Sequence, residues 1–394
     1  MAKATEETER LMGALTGISV LEFANYVSGP YAGMMLADMG AEVIKVEPPG
    51  GGDPFRGWGA ADYSATFGSV NRNKKSIILD LKTPDGVATA RALASKADVL
   101  IENYRPGAMA RLGLDYPALK QSNPGLVYVS ITGFGSSGPY ADRAGYDTVG
   151  QAMSGLLSVL TNLSNPEPMG ISLSDHLTGM MAAYGALGAL MARERSGRGQ
   201  LVETSLLAAT IAFLGENAAR FFETGSRPTR ETRTRSAQVY AFTDSEKRGF
   251  VVHLSSPAKF WQGLTLAAGH PEWQHDPQFR TKKDRQQNYH VLHKALAAVF
   301  GTREREYWLE RLREHDVPSA PIYTLDEVFA DPQVKHLGLK RDVPHPKIGK
   351  VSLVQGGVTL SDTPAEIRSV APDYGQHTDE ILARIARRSR PIVS

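Results

Sequence analysis

The first 132 residues alternate short, continuous apolar runs with segments of helical character. The apolar runs, each of which predicts a strand, are 17–23, 41–47, 76–81, 99–103 and 126–132. Continuous apolar runs are typical of strands that are buried on both faces of a sheet. Because helical segments such as 29–40 and 84–97 separate these runs, the pattern predicts βαβ units and a mostly parallel sheet. The sequence therefore predicts an α/β fold.

The pattern becomes helical from residue 146 to residue 223, and Gly197 and Gly199 predict the end of one helix before a short strand. Residues 224–236 are charged and rich in turn formers, which favours a linker. Beyond the linker, the pattern predicts a hairpin and two helices, at 238–256, 288–300 and 303–316. A second, smaller unit therefore follows the first.

Composition narrows the class of protein. A chain of 394 residues exceeds a single hydrophobic core, and its net charge of +2 argues against nucleic-acid or membrane partners attracted by bulk charge. The absence of cysteine removes thiol chemistry and favours a reducing compartment. The longest apolar window, 180–192, is too short to cross a bilayer, and the acidic residues near Met1 suit no signal peptide. We therefore expect a cytoplasmic protein with no membrane partner.

The sequence predicts neither a dinucleotide site nor a metal site. The segment GFGSSG at 133–138 matches a dinucleotide fingerprint, but Pro139 and a turn-rich stretch follow it where a helix is needed. We interpret these glycines as a sharp turn whose amides could face a ligand. The histidines are scattered without ligand-like spacing, so no metal site is predicted.

Two basic segments follow neighbouring predicted strands. Residues 71–82 contain Arg72, Lys74, Lys75 and Lys82, and residues 102–113 contain Arg105 and Arg111. A basic loop is ordinarily just solvated, but cations beside the loops of a sheet also suit a ligand with several phosphate groups. Both interpretations remain open at the level of the residues.

Asp175 lies where a short extended stretch turns into a helix, and it has two interpretations. It could cap the helix, as Asp commonly does. However, Ser172 and Ser174 already offer capping groups, and the helix dipole would keep the carboxylate ionised. The helix also contains glycines that indicate close packing, at Gly179, Gly185 and Gly188. An ionised, oriented carboxylate can attack an activated acyl group such as a thioester.

Several long blocks carry a family resemblance. They include VLEFANYVSGPYAGMMLADMGAEVIKVEPPGGGDPFR, NRNKKSIILDLKTPDG, ADVLIENYRPGAMARLGLDY, GYDTVGQAMSGL, SLSDHLTG, ERSGRGQLVETSL and GQHTDEIL. In this order they resemble the family III CoA-transferases, such as formyl-CoA transferase and carnitine CoA-transferase, and their relative α-methylacyl-CoA racemase. The resemblance covers nearly the whole chain but does not specify the substrate.

The resemblance implies an interlocked homodimer of ring-like subunits. Each subunit would combine a Rossmann-like large domain, built from both chain ends, with a smaller inserted α+β domain. The expected boundaries are 1–223 for the first part of the large domain, 224–236 for the linker, 237–330 for the small domain, and 331–394 for the C-terminal segment that returns to the large domain.

The resemblance also implies the chemistry. Asp175 falls on the family nucleophile, which exchanges CoA between an acyl-CoA donor and a small carboxylic acid through an aspartyl anhydride and an aspartyl-CoA thioester. CoA is a substrate here, and no permanently bound cofactor is expected. With the basic segments, the expected CoA-binding residues are Tyr26, Val27, Ser28, Arg72, Lys75, Leu79, Lys82, Asn103, Tyr104, Arg105 and Arg111.

The chain departs from its relatives at a few positions. Pro48 and Thr132 stand where relatives have an arginine and a lysine, and Val27 replaces the glutamine of formyl-CoA transferase. Donor and acceptor acids therefore stay open.

Two alternatives to a transferase remain. A racemase-like isomerase would need a histidine and a glutamate where this chain has Tyr146 and Ser256–Pro257, so racemisation is disfavoured. A non-catalytic CoA-binding protein would use Asp175 only as a helix cap.

Overall fold

The computed structural model describes residues 13–59, 63–255 and 257–388. The described residues form two compact units. The larger unit takes the described residues up to Leu157, Pro168–Glu216, and those from Leu337 onwards; the smaller takes Ser158–Glu167 and Asn217–His336. The exact domain boundaries expected from the sequence stay a prediction.

The larger unit is built on a parallel sheet of six strands within the described residues. The strands are β1 (Ser19–Phe23), β2 (Glu42–Glu47), β3 (Lys74–Ile78), β4 (Val99–Glu102), β5 (Val127–Thr132) and β6 (Leu201–Ser205). Their order across the sheet is β3-β2-β1-β4-β5-β6, the Rossmann arrangement. The strand order reverses between β1 and β4, so a crevice opens at the carboxyl ends of these two strands.

The helices up to residue 224 flank or follow this sheet. They are α1 (Ser28–Asp38), α2 (Ala65–Asn71), α3 (Pro84–Ala94), α4 (Ala108–Arg111), α5 (Tyr116–Ser122), α6 (Asp147–Met153), α7 (Leu156–Leu160), α8 (Leu173–Ser196), α9 (Leu206–Phe213) and α10 (Gly215–Thr224), with a 3₁₀ turn at Pro54–Gly57. Strand side chains such as Ile101 and Val129 are fully buried because helices cover both faces of the sheet. The α/β prediction is confirmed.

Close packing of α8 explains two of its three glycines. A Cβ on Gly179 would lie 2.6 Å from the carbonyl oxygen of Ser28, and one on Gly185 would lie 2.6 Å from Val202 Cγ1. Gly188 has no atom within 4 Å of such a Cβ, so close packing does not explain it. The helix ends at Ser196, where Gly197 adopts φ +66°, as the sequence predicts.

The smaller unit is α+β. It contains α11 (Arg230–Ala237), β7 (Val239–Thr243), β8 (Gly249–His253), α12 (Ala258–Ala267), a 3₁₀ turn (Pro271–Gln274), α13 (Lys282–Gln287), α14 (Tyr289–Phe300), α15 (Arg305–Glu314), β9 (Ser319–Pro321), α16 (Leu325–Ala330) and α17 (Pro332–His336). Its three strands pair antiparallel around a core that includes Tyr240, Phe250 and Leu296. The predicted hairpin and the two predicted helices are confirmed. The stretch 224–236 is not uniformly turn-rich, because Thr229 opens α11 by donating its N–H to Thr232 Oγ1.

The C-terminal elements are β10 (Lys340–His345), β11 (Gly349–Val354) and α18 (Thr378–Arg388). The start of α18 covers the open edge of β3, where Ile78 donates its N–H to Thr378 Oγ1 and His377 donates its N–H to the carbonyl of Ser76. Ile381 completes the apolar core on this side. The last described helix, α18, therefore packs within the larger unit.

Candidate active site

A cavity of about 270 Å³ opens at the crevice between β1 and β4. Its lining includes Asn25, Tyr26, Ser28, Asn103, Tyr104, Arg105, Thr132, Gly133, Arg143, Tyr146, Asp175 and Leu206. Loops after parallel strands carry ligand sites in open α/β sheets. Six residues that the sequence analysis selected, Tyr26, Ser28, Asn103, Tyr104, Arg105 and Asp175, are therefore brought together around one cavity.

The loop after β1 is fixed by two side chains. Tyr26 adopts φ +62°, a left-handed conformation that is unusual for a side chain of this size, and its N–H donates to Asp53 Oδ1 at 3.1 Å. Asn103 accepts the Asn25 N–H at 2.9 Å and donates its amide to the Asn25 carbonyl at 2.8 Å. Asn103 thus ties the loops after β1 and β4 together, which leaves its amide less available to a ligand.

The backbone at Asp175 is capped by another residue. Ser172 is the N-cap of α8 but makes no capping hydrogen bond with its side chain. The Asp175 N–H instead donates to Asp147 Oδ1 at 3.1 Å, while Asp147 Oδ2 accepts from Gln151 Nε2. Among the described residues, the Asp175 carboxylate itself accepts no hydrogen bond, and it lines the cavity. The interpretation of Asp175 as the helix cap is therefore wrong.

The electrostatics of Asp175 also differ from the expectation. Burial, and after it the nearby Asp147 carboxylate, raises the pKa of Asp175 to about 7. The helix dipole does not hold this pKa low, because desolvation and the neighbouring negative charge outweigh it. A carboxylate at this pKa is more basic than an ordinary aspartate and is still substantially ionised near neutral pH.

Ser174 anchors the first turn of α8. It is buried, its Oγ lies 2.7 Å from Thr210 Oγ1, and it donates to the Leu206 carbonyl at 3.3 Å. The apparent surplus of capping groups in the sequence is explained, since Ser174 binds α9 and leaves the start of α8 to Asp147. These contacts fix the position of Asp175 at the cavity wall.

A second cavity, of about 580 Å³, lies along the same edge of the sheet. Its lining includes Val46, Pro48, Leu79, Lys82, Tyr104, Ala108 and Arg111. Tyr104 lines both cavities, so they adjoin. Lys82 and Arg111 are exposed and form no ion pair within the described part of the chain. Two free cations beside apolar walls suit a ligand that carries phosphates on an organic group.

Glu102 supports the loop that connects the two cavities. It accepts the Tyr104 N–H at 2.9 Å and the Ser130 hydroxyl at 2.5 Å. Burial raises the pKa of Glu102 to about 7 despite these hydrogen bonds. The Glu102 carboxylate therefore holds the backbone of Tyr104 in place, but Glu102 itself lines neither cavity.

Three residues selected from the sequence lie outside both cavities. Arg72 is buried and pairs with Asp38 at 2.6 Å, and Lys75 pairs with Glu42 and Glu380. Val27 is buried among Phe55, Phe67 and Val70. Carboxylates already neutralise Arg72 and Lys75, so neither offers a free charge to a phosphate, and the assignment of all three residues to CoA binding stays a prediction.

Sequence reasoning missed part of the lining. Arg143 and Tyr146 line the first cavity. Asp147 is not among the lining residues, but its carboxylate accepts the backbone N–H of Asp175. The block GYDTVGQAMSGL contained the signal for Asp147, since an aspartate at the start of a helix has a carboxylate free to accept an amide. Of the turn at 133–138, Gly133 reaches the cavity wall.

Within the described residues, no cluster of His, Cys, Asp or Glu has the arrangement of a metal site. The helices of the described chain likewise include none with the length and apolar character needed to span a membrane.

Comparison with known proteins agrees with this geometry. The profile of "CoA-transferase family III" matches residues 15–378. Succinyl-CoA:glutarate CoA-transferase from Mus musculus is 36% identical over 95% of this chain and 87% of its own length. Succinate–glutarate CoA-transferase from Agrobacterium fabrum is 36% identical over 94% of this chain and 95% of its own. Among solved structures, a CAIB/BAIF family protein from Brucella suis superposes with a TM-score of 0.84, at 34% identity, covering 95% of this chain and 100% of that one.

The family match and the named relatives show that the chain is an enzyme of the acyl-CoA:carboxylate CoA-transferase class. The chain belongs to CoA-transferase family III. The family and the enzyme class predicted from the sequence are confirmed.

Proposed function

We propose that this enzyme moves CoA from a dicarboxylic acyl-CoA to a free dicarboxylic acid, with Asp175 as the nucleophile. The observation that supports the proposal is the position of the Asp175 side chain, which lines the cavity. Its carboxylate is free of the backbone because Asp147 accepts the Asp175 N–H. The relatives named for succinyl-CoA and glutarate support the substrate class.

The reaction proceeds in four balanced steps. An Asp175 oxygen bonds to the thioester carbon of the donor, the carbon–sulfur bond breaks, and CoA leaves as its thiolate. The thiolate attacks the Asp175 carbonyl of the resulting anhydride, releasing the first acid as its carboxylate. The acceptor carboxylate then attacks the aspartyl-CoA thioester and expels the thiolate. The thiolate finally attacks the acceptor carbonyl, forming the new acyl-CoA and regenerating the Asp175 carboxylate.

Each step exchanges one activated acyl group for another, so the covalent relay divides one difficult exchange into steps of similar energy. A basic carboxylate favours the first step, in which Asp175 must act as a nucleophile. The pKa of about 7 supports this role, since desolvation leaves the carboxylate poorly stabilised by water.

CoA binding is proposed across the two adjoining cavities. Lys82, Arg105 and Arg111 supply unpaired positive charge for the phosphates, and Leu79 supplies apolar contact. Tyr104, at the junction of the cavities, would lie beside the pantetheine, with Tyr26 and Ser28 near the thioester. CoA is consumed and returned as a substrate, and no permanent cofactor is required.

The first test is covalent trapping at Asp175. Wild-type enzyme is incubated with succinyl-CoA and hydroxylamine, and peptides are examined by mass spectrometry. An aspartyl hydroxamate at Asp175 is expected, because hydroxylamine intercepts both the anhydride and the thioester. Asp175→Asn, which keeps the size but removes the nucleophile, should reduce kcat by at least a thousandfold.

The matched control is Asp142→Asn, which removes the same charge from an exposed position outside the cavity lining. It should retain wild-type activity and the Asp175 adduct. A fully active Asp175→Asn enzyme, or an adduct on another residue, would contradict the proposed function.

The assembly is proposed to be an interlocked homodimer in the cytoplasm. Met180, Tyr184 and Met191 project from one side of α8 and are 46%, 76% and 62% exposed. A stripe of large apolar side chains on a helix favours a protein interface. The cytoplasmic location rests on the absence of cysteine and on the CoA thioester substrates.

A further inference from the structure

The cavity at Asp175 contains a second arginine that CoA binding does not account for. Arg105 and Arg143 both line it, and neither forms an ion pair with a carboxylate of the described residues. Guanidinium groups bind carboxylates and phosphates in a fixed two-pronged geometry. Two unpaired arginines in one cavity therefore predict more than one anionic group on the ligands.

The two arginines come from different segments of the chain. Arg105 follows Tyr104, which also lines the cavity of Lys82 and Arg111, so Arg105 belongs to the phosphate side. Arg143 precedes Asp147 by four residues, and Asp147 binds the Asp175 backbone. Because Arg143 also lines the cavity that contains Asp175, it is available to the acyl group that reacts there.

Arg143 is also held in place before any ligand arrives. Its guanidinium stacks on the Tyr140 ring at 3.8 Å, and Tyr140 packs edge-on against Phe134. The same segment contacts the loop after β5 directly, because a Cβ on Gly145 would lie 2.8 Å from the Cα of Gly133. A guanidinium fixed in this way loses little conformational freedom when it binds an anion.

We propose that Arg143 is the specificity residue that binds the non-reacting carboxylate of a dicarboxylic substrate while the other end reacts at Asp175. This inference rests on the proposed function and extends it. The donor acyl group and the acceptor acid occupy the same place in turn, so Arg143 contacts both. A monocarboxylic acid of equal length places a methyl group against the guanidinium and forms no ion pair.

The test compares two substrate pairs of matched chain length in the full-length enzyme. One pair is succinyl-CoA with glutarate, and the other is butyryl-CoA with valerate. Wild-type enzyme should prefer glutarate over valerate. Arg143→Gln should lower kcat/KM for glutarate roughly 10- to 100-fold, chiefly through KM, and should leave valerate within about twofold. Arg143→Lys should recover part of the loss because it restores the charge without the planar fork.

Two controls separate the possible causes. Arg198→Gln removes an exposed arginine outside the cavity and should leave both reactions unchanged. Arg105→Gln should weaken CoA binding, measured by calorimetry with CoA alone, without changing the ratio of glutarate to valerate.

The inference is overturned if Arg143→Gln slows both substrate pairs equally, or if wild-type enzyme shows no preference for glutarate. It is also overturned if Arg105→Gln, instead of Arg143→Gln, changes the ratio. In each of these outcomes the Asp175 adduct can still form, so CoA transfer with Asp175 as the nucleophile would survive, although the absence of a wild-type preference would remove the dicarboxylic substrate class. The absence of that adduct with either donor is the separate outcome that contradicts the proposed function.

Discussion

At the scale of single residues, two carboxyl groups set the chemistry of the cavity. Asp147 binds the Asp175 N–H, which frees the Asp175 carboxylate from its local backbone. The Asp147 charge then adds to burial in raising the pKa of Asp175 to about 7. One neighbour therefore fixes the position of the proposed nucleophile and adds to the effect of burial on its basicity.

Asp147→Asn tests this control. Asparagine keeps an oxygen for the Asp175 N–H but removes the negative charge, so the pKa of Asp175 should fall toward its ordinary value. Asp175 must be ionised to attack, so wild-type kcat/KM should rise with pH through about 7, leaving on the order of a tenth of the maximal rate at pH 6. In Asp147→Asn this rise should move to lower pH, and a larger fraction of the maximal rate should remain at pH 6.

The measurement is kcat/KM for succinyl-CoA between pH 5 and pH 9, with the Asp142→Asn enzyme as the control for loss of one charge. A rise at unchanged pH in Asp147→Asn, or one displaced to higher pH, would contradict the proposed coupling of the two carboxyl groups.

The sequence could identify Asp175 but not the state of its carboxyl group. The blocks of family resemblance identify Asp175 as the position of the nucleophile. However, Asp147, whose carboxylate accepts the Asp175 N–H, is 28 positions away in the sequence. The same limit applies to Arg72 and Lys75, because their partners Asp38 and Glu380 are 34 and 305 positions away. Local sequence shows a charge, but only the fold shows whether another charge already neutralises it.

At the scale of elements, a buried group of charges connects β1, β2 and β3 with the segment that follows β2. Lys45 lies 3.0 Å from Glu22 and 2.9 Å from Asp53, and Lys74 lies 2.8 Å from Glu22. All four side chains are buried. Asp53 in turn accepts the Tyr26 N–H and so supports the left-handed turn at the cavity. These ion pairs therefore connect the strands to the proposed thioester site.

Lys45→Met tests the contribution of this group to stability. The substitution would leave Asp53 buried without its cation, which should cost about 3–5 kcal/mol. Lys75→Met is the matched control, because Lys75 lies on the neighbouring strand β3 and its partners Glu42 and Glu380 are partly exposed. The control should cost no more than about 1 kcal/mol.

The measurement is differential scanning calorimetry at pH 7. The unfolding temperature of Lys45→Met should fall by on the order of 10 °C, and that of Lys75→Met by a few degrees at most. Equal shifts in the two variants would show that the buried pairs contribute no special stability.

The strands themselves were predictable, and their buried lysines were not. Apolar runs at the spacing of βαβ units identify the sheet, including β2 with its sequence EVIKVE. Within that run, Lys45 resembles an exposed residue, because its acidic partners Glu22 and Asp53 lie outside the run, 23 and 8 positions away. A periodic pattern predicts an element, whereas burial of a charge depends on residues that the pattern does not contain.

At the scale of the whole molecule, the proposed interlocked homodimer predicts how two copies of the chain associate. The apolar stripe of Met180, Tyr184 and Met191 leaves large apolar side chains exposed on α8, and Tyr184 is the most exposed of the three. A partner that covered this stripe would remove these side chains from water. The family resemblance implies that the partner is a second copy and that the two rings are threaded through each other. A threaded dimer and an ordinary surface dimer have the same mass but differ in how they separate.

Light scattering should give twice the chain mass of 42.7 kDa. Because threaded chains can separate only by unfolding, the dimer should persist after dilution to nanomolar concentration. Two batches that carry different affinity tags should form no mixed dimers after days of co-incubation, and should form them after both are unfolded and refolded together. Tyr184→Glu should reduce the yield of refolded dimer, whereas Arg198→Glu, an exposed change beyond the end of the same helix, should not. Rapid formation of mixed dimers without unfolding would contradict threading, and a mass of one chain would contradict the dimer itself.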